Sequence, residues 1–180
     1  YNKKNKGIKH AKSLFKVGAK IIDIGGESTR PGSKEIKTKD EWNRIKKTLT
    51  KVDKKNFLSL DTRKSEIMEK GIKLGVSLIN DISGLSHDKN SIKILRKYKT
   101  PFVIHHIQGT PASMQIKPYY KNVLLDIYDY FEEKIKYIRF HGIKHNYIIL
   151  DPGIGFGKNL KHNMNLLTNI SIFHALGFPI

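Results

Sequence analysis

Short β-branched runs alternate with longer amphipathic stretches along this chain, and no other feature constrains its fold as strongly. Lys20-Ile21-Ile22-Asp23-Ile24-Gly25 reads as a buried strand. Phe57 to Asp61, Ser77 to Ile82, Phe102 to His106 and Tyr147 to Asp151 read as four more. Helical spacing predicts helices over 8–18, 39–51, 65–74, 91–98, 122–141 and about 162–176. Trp42, Ile45 and Leu49 form the apolar stripe of the second helix. Gly18, Gly75 and Gly142 stand where helix C-caps belong. Phe178-Pro179-Ile180 reads as a further strand beginning. Repeated strand-then-helix order implies a parallel sheet, because a parallel neighbour is reached only through a crossover. A doubly wound sheet and a β/α barrel both satisfy that order. No linker or low-complexity segment interrupts it, so residues 1–180 read as a single domain.

Composition removes several classes. With 180 residues, 38% hydrophobic and 28% charged, the chain is large enough for a core and is neither disordered nor membranous. No apolar run approaches the ~20 residues of a spanning helix. Tyr1-Asn2-Lys3-Lys4-Asn5-Lys6 is basic, but no apolar core follows, so it is not read as a secretory signal. Position 1 is not Met, which reads as a chain that begins part-way through a longer protein. There is no cysteine, which excludes disulfides and thiolate chemistry and fits a cytoplasmic protein. The net charge of +18 allows two readings, a nucleic-acid surface or solvated helix faces. The lysines are spread evenly and no aromatics are interleaved as a stacking platform, which favours the solvated faces and no nucleic-acid partner. A positive field also helps to attract an anionic substrate.

The chemistry gathers where the strands end. In both candidate architectures sites form at the C-terminal ends of parallel strands. In order, those ends carry Asp23 and then Glu27 to Arg30; Asp61, Thr62 and Arg63; Asn80 and Asp81; His105, His106 and Gln108; and Asp151 followed by Gly153 to Lys158. A structural barrel does not need polar groups at all five ends, so the pattern reads as an enzyme. Asp61, Asn80 and Asp151 offer acceptors and donors in one plane, as a flat 2-amino-4-oxo heterocycle requires. For any single Asp, capping of the following helix is an equal reading. The loop Gly26 to Gly32 supplies backbone N–H groups, hydroxyls and Arg30, which suit a phosphate or diphosphate; a plain Gly/Pro turn is the alternative. Lys158 is either an anion contact or one of many lysines. Adjacent His105 and His106 point to opposite faces of a strand and do not read as a metal pair.

At this point the residues resemble a known family. Gly18-Ala19-Lys20-Ile21-Ile22-Asp23-Ile24-Gly25-Gly26-Glu27-Ser28-Thr29-Arg30-Pro31-Gly32 is similar to the first signature of the dihydropteroate synthases, which are pterin-binding enzymes. Leu60-Asp61-Thr62, Ile79-Asn80-Asp81, His106-Ile107-Gln108-Gly109-Thr110-Pro111 with Met114-Gln115, and Ile149 to Lys158 with Asn163 resemble the later ones in the same order. The resemblance implies a TIM-type (β/α)8 barrel, here incomplete, covering about strands two to six and the start of seven. It implies transfer of a pterinylmethyl group from 6-hydroxymethyl-7,8-dihydropterin diphosphate to 4-aminobenzoate, a step of folate biosynthesis. Asp61, Asn80 and Asp151 would hold the pterin, with Asp61 and Asp151 also stabilising the developing cation. Thr29, Arg30 and Pro31 would serve diphosphate and aminobenzoate, with Phe156 and Lys158 nearby. The family also implies Mg²⁺, a homodimer at full length and competition by sulfonamides at the aminobenzoate site. No metal ligand is assigned in this chain, because the family's Asn lies on a first strand that it lacks.

The chain departs from the family at His105 and Ile107, which flank His106 where the family commonly shows Met. The seventh-strand Ser-Arg-Lys and the eighth-strand Arg-x-His are also missing. Other readings are another pterin-binding barrel, such as a methyltetrahydrofolate methyltransferase, and a basic nucleic-acid-binding module. The diphosphate-type loop argues against the methyltransferase.

Overall fold

In the computed structural model, residues 5–53 and 55–180 are described. The basic stretch at residues 1–4, expected not to be a secretory signal, lies outside the described residues. The elements run α1 (Lys6–Lys16), β1 (Ile21–Gly25), α2 (Thr38–Lys51), β2 (Phe57–Asp61), α3 (Ser65–Lys73), β3 (Leu78–Asp81), α4 (Ser91–Tyr98), β4 (Phe102–His105), α5 (Val123–Phe140), β5 (Ile148–Asp151) and α6 (Leu160–Thr168). The strands form one parallel sheet in the order β1-β2-β3-β4-β5, so every crossover leads to the adjacent strand. A doubly wound sheet reverses its strand order at a switch point. This sheet advances in one direction throughout, as a barrel wall does.

The two faces differ in kind. Leu58, Leu60, Ile79, Phe102, Ile104, Ile148 and Leu150 are buried on the helix side and form the centre of the core. Each such side chain contributes roughly 1.5–3 kcal/mol by leaving water. Alternation then sends Asp23, Asp61, Asn80 and Asp151 to the other, concave face. Ile21 and Phe57 also lie on that face and are 53% and 61% exposed.

Three sequence expectations need correction. The helix expected over about 162–176 is two elements: α6 ends at Thr168, and a 3₁₀ helix follows over Ile170–Leu176. At the junction the Asn165 carbonyl accepts from both the Asn169 side-chain amide at 3.0 Å and the Asn169 backbone N–H at 3.2 Å, so the α-helical pattern ends with a shared acceptor. Tyr147, expected to open the last strand, belongs to a 3₁₀ turn over His145–Tyr147. Phe178 to Ile180 is not assigned as strand, but Leu150 N–H donates to the Pro179 carbonyl at 2.9 Å, so the chain end does lie beside β5.

Candidate active site

Register decides which polar groups meet. Asp61 pairs with Asn80, and Gly25 pairs with Asp61. A Cβ at Gly25 would come within 2.9 Å of Asp61 Oδ2, so glycine is what allows that carboxylate to lie over β1. Asn80 Nδ2 donates to Asp23 Oδ2 at 3.0 Å. Three neighbouring strands therefore contribute Asp23, Asp61 and Asn80 to one cluster. Asp151 is not on the next strand. It pairs in register with His105, and β4 stands between it and Asn80. Of the three residues expected to hold a flat heterocycle, Asp61 and Asn80 are on adjacent strands and Asp151 is on a third beyond an intervening one.

The cluster is electrostatically loaded. Burial pushes the Asp61 pKa up to about 8, reinforced by the negative charges of Asp23, Asp81, Glu41 and Glu27. Asp151 behaves differently. Burial alone would raise it, but the His105 contact, the Gly153 N–H and the positive Lys158 outweigh burial and hold it below the usual carboxylate range. Its Oδ1 accepts from Gly153 N at 2.8 Å and its Oδ2 lies 3.3 Å from His105 Nδ1, while the side chain remains 46% exposed to the concave face. The site thus holds one carboxyl with a strong tendency to stay protonated and one that stays ionised. Asp81, which read as a strand-end polar group beside Asn80, faces the helix side instead. It is fully buried and accepts from Ser83 N, Ser83 Oγ and Leu85 N, which shapes the turn after β3.

The loop after β1 is braced from below. Glu27 accepts from Ile36 N at 2.8 Å, Arg63 Nε at 2.9 Å and Lys64 Nζ at 3.2 Å. Glu41 of α2, wholly buried, accepts from Lys64 Nζ at 2.7 Å and Thr62 Oγ1 at 2.6 Å. Gly32 N–H donates to the Pro111 carbonyl at 3.0 Å, joining this loop to the one after β4. Arg30 and Pro31 sit exposed at the tip and Thr29 is half-buried. A cavity of about 160 Å³ opens beside them, lined in part by Ser28, Ser33, Arg63, Thr110 and Pro111. The Glu27–Arg63–Lys64–Glu41 network escaped the sequence reading. Its one sequence signal is Glu41, a charge placed on the buried stripe of α2 beside Ile45.

Phe156 packs its ring edge-on to His105, with centroids 4.4 Å apart. Lys158, expected near the aminobenzoate and diphosphate, is placed otherwise. It is 2% exposed, and its ammonium turns inward to the Phe156 carbonyl at 2.9 Å, His106 Nδ1 at 3.0 Å and the His106 carbonyl at 3.4 Å. Burial lowers its pKa to about 7. Burial, reinforced by Lys158, takes the His106 imidazole down to about 3. Lys158 therefore staples the β5 loop onto the end of β4. His106 packs against Tyr130 at 4.8 Å, on the side away from His105, so the two imidazoles diverge as strand alternation requires.

The family model described as pterin binding enzyme matches residues 1–180. This chain belongs to the pterin binding enzymes. It is 37% identical over 175 residues to the dihydropteroate synthase of Escherichia coli K12, covering 96% of this chain and 62% of the relative. Among solved structures, a Yersinia pestis dihydropteroate synthase with a sulfonamide drug complex superposes with a TM-score of 0.90 at 38% identity, over 95% of this chain and 62% of the other. A Clostridium difficile dihydropteroate synthase in the presence of pteroic acid gives 0.88 at 36% identity, over 96% and 64%. The chain thus spans about three fifths of the length of the relatives it matches, and its five-stranded wall is an incomplete β/α barrel.

Proposed function

We propose that this chain supplies the pterin face and the anion loop of a dihydropteroate synthase. The reaction joins 6-hydroxymethyl-7,8-dihydropterin diphosphate to 4-aminobenzoate. The observation that carries the reading is the carboxylate-rich concave face, where like charges and burial raise Asp61 to about 8 beside the ionised Asp151. Burial is the larger cause of that shift, and the neighbouring carboxylates add a negative potential at the strand ends. Such a field favours a cation developing on a bound ring and is preorganised before the reaction begins. When the methylene C–O bond breaks, its electron pair leaves with diphosphate and the ring methylene becomes cationic. The arylamine lone pair forms the C–N bond and the nitrogen then loses a proton. Asp61, Asn80 and Asp151 bind and orient the pterin, and Asp61 and Asp151 stabilise the cation. The tip of the β1 loop, Thr29, Arg30 and Pro31, receives the departing anion and the arylamine.

Similarity to enzymes studied with a sulfonamide and with pteroic acid supports both halves of this pocket, since pteroic acid joins a pterin to an aminobenzoate. In this reading Phe156 forms a wall and Lys158 acts by holding its loop. Mg²⁺ belongs to the same reading, held by the diphosphate and an Asn outside this chain, and no step above is routed through it. Among the described residues no group of three or more His, Asp or Glu is arranged to hold a metal ion. A homodimer and a cytoplasmic location belong to the same reading. Among the described residues no helix is long and apolar enough to cross a membrane.

The test uses the complete protein that carries this chain. Dihydropteroate formation from the two substrates is expected, with kcat reduced about 100-fold in Asp61→Asn, the size of effect seen when one electrostatic stabiliser is removed. Aminobenzoate binding should require pyrophosphate. Aminobenzoate binding indifferent to pyrophosphate, with no product formed, would return the chain to the methyltransferase reading.

A further inference from the structure

His105 is a strand-end side chain to which the proposed reaction gives no part. It is 4% exposed, yet its Nε2 has no hydrogen-bond partner. Leaving such a group buried and unpaired costs roughly 1–3 kcal/mol, so something must hold the ring in this pose. Three contacts do so. Phe156 packs edge-on at 4.4 Å. Gly153 lies so close that a Cβ there would stand 2.8 Å from Nε2. The third contact is Nδ1, 3.3 Å from Asp151 Oδ2, at the long end of the hydrogen-bonding range. A carboxylate oxygen only accepts, so Nδ1 carries the proton.

Resting on the pterin-site reading, we infer that His105 is a positioning residue of that site, gripping Asp151 from behind so that its carboxylate meets the ligand fixed and ionised. The grip is two-sided. Gly153 N–H holds Oδ1 at 2.8 Å and His105 Nδ1 approaches Oδ2, each using one lone-pair direction and leaving another for the ligand. The Asp151 side chain remains 46% exposed on the concave face, so those directions stay open. A methionine at position 105 could fill the volume but could not donate. The titratable groups facing Asp151 are His105 from β4 and Lys158 from its own loop, and Asp61 stands on the same face from β2. With the His105 donor removed, burial has less to oppose it and the Asp151 carboxyl titrates at higher pH.

The experiment compares the complete protein with His105→Met and His105→Asn, the second placing an amide donor close to the Nδ1 position. Two quantities are read: the Asp151 carboxyl titration by carbon-detected NMR without ligand, and the affinity for 6-hydroxymethylpterin across pH by calorimetry. His105→Met is expected to raise the Asp151 midpoint by about one unit and weaken binding roughly tenfold, which is about 1.4 kcal/mol. His105→Asn should recover most of both. An unmoved midpoint in His105→Met overturns the inference, and so does an equal loss in both variants, which would mean that the imidazole only fills space. If His105→Met does not fold, His105→Leu serves as the donorless variant: a raised midpoint there, recovered in His105→Asn, supports the grip, and an unmoved midpoint sinks it. Should the parent protein fail to bind the pterin while the midpoint still shifts, the functional reading falls and the His105–Asp151 pair stands.

Discussion

At the residue scale the site is defined by opposed carboxyls. Asp61 is raised to about 8 and Asp151 is held below the usual range, although both sit at strand ends on one face. The difference lies in their partners. Asp61 has carboxylates for neighbours, whereas Asp151 has an imidazole, an N–H and a lysine. The raised group sets a pH dependence of stability. Because the folded pKa of Asp61 lies above its unfolded value, its contribution is fully present below about pH 4 and is lost as pH rises through 8. Asp61→Asn removes that loss. Thermal melts should show the variant gaining on the parent as pH rises from 5 to 9, by roughly 4 kcal/mol at about 1.4 kcal/mol per unit, with no further gain above the folded pKa. A pH-independent offset would mean that the carboxyl is not the titrating group. The same substitution is the one expected to lower kcat about 100-fold, so function at this position is held at a cost in stability.

At the element scale, two loops depend on groups the sequence shows but does not explain. Glu41 looks like an ordinary acidic residue in the first turn of α2, and nothing local says that it is buried under Lys64 and Thr62. Its role is visible only once α2 is packed beside β2. Glu41→Ala leaves the Lys64 ammonium buried with Glu27 alone, and denaturant unfolding should show a loss of roughly 3 kcal/mol. Glu41→Gln, which keeps an acceptor for Thr62, should lose less. The β5 loop depends on Gly153, at φ +70, where a Cβ would collide with the His106 carbonyl. Gly153→Ala is expected to cost at least about 2 kcal/mol in the same assay and to weaken pterin binding through Asp151. Of the helices, those with a continuous apolar stripe were legible and the one broken at Asn169 was not. Periodicity of apolar residues does not register where the backbone passes from α to 3₁₀ pairing, as it does after Asn169.

At the scale of the whole molecule, the concave face is the liability. Phe57 and Ile21 stand exposed there, and β1 lies at an edge of the sheet. Parallel sheets are stable when both faces are covered and their edges are closed or paired. Expressed as these 180 residues alone, the chain should be aggregation-prone and show little or no synthase turnover. Size-exclusion chromatography and a dihydropteroate assay check this, and a monodisperse, active product would contradict it.

The sequence by itself determined the strand-and-helix alternation, the parallel sheet, the polar strand ends and the five motifs in order. These depend on local periodicity and on residue types, which survive without a fold. The tertiary structure alone decided that Asp81 faces the helices, that Lys158 turns inward as a staple, that Glu41 lies beneath the β1 loop, and that His105 stands between Asn80 and Asp151. Those are matters of strand register and packing. Register places residues from distant segments within hydrogen-bonding reach, and no spacing along one segment encodes the identity of a neighbour from another.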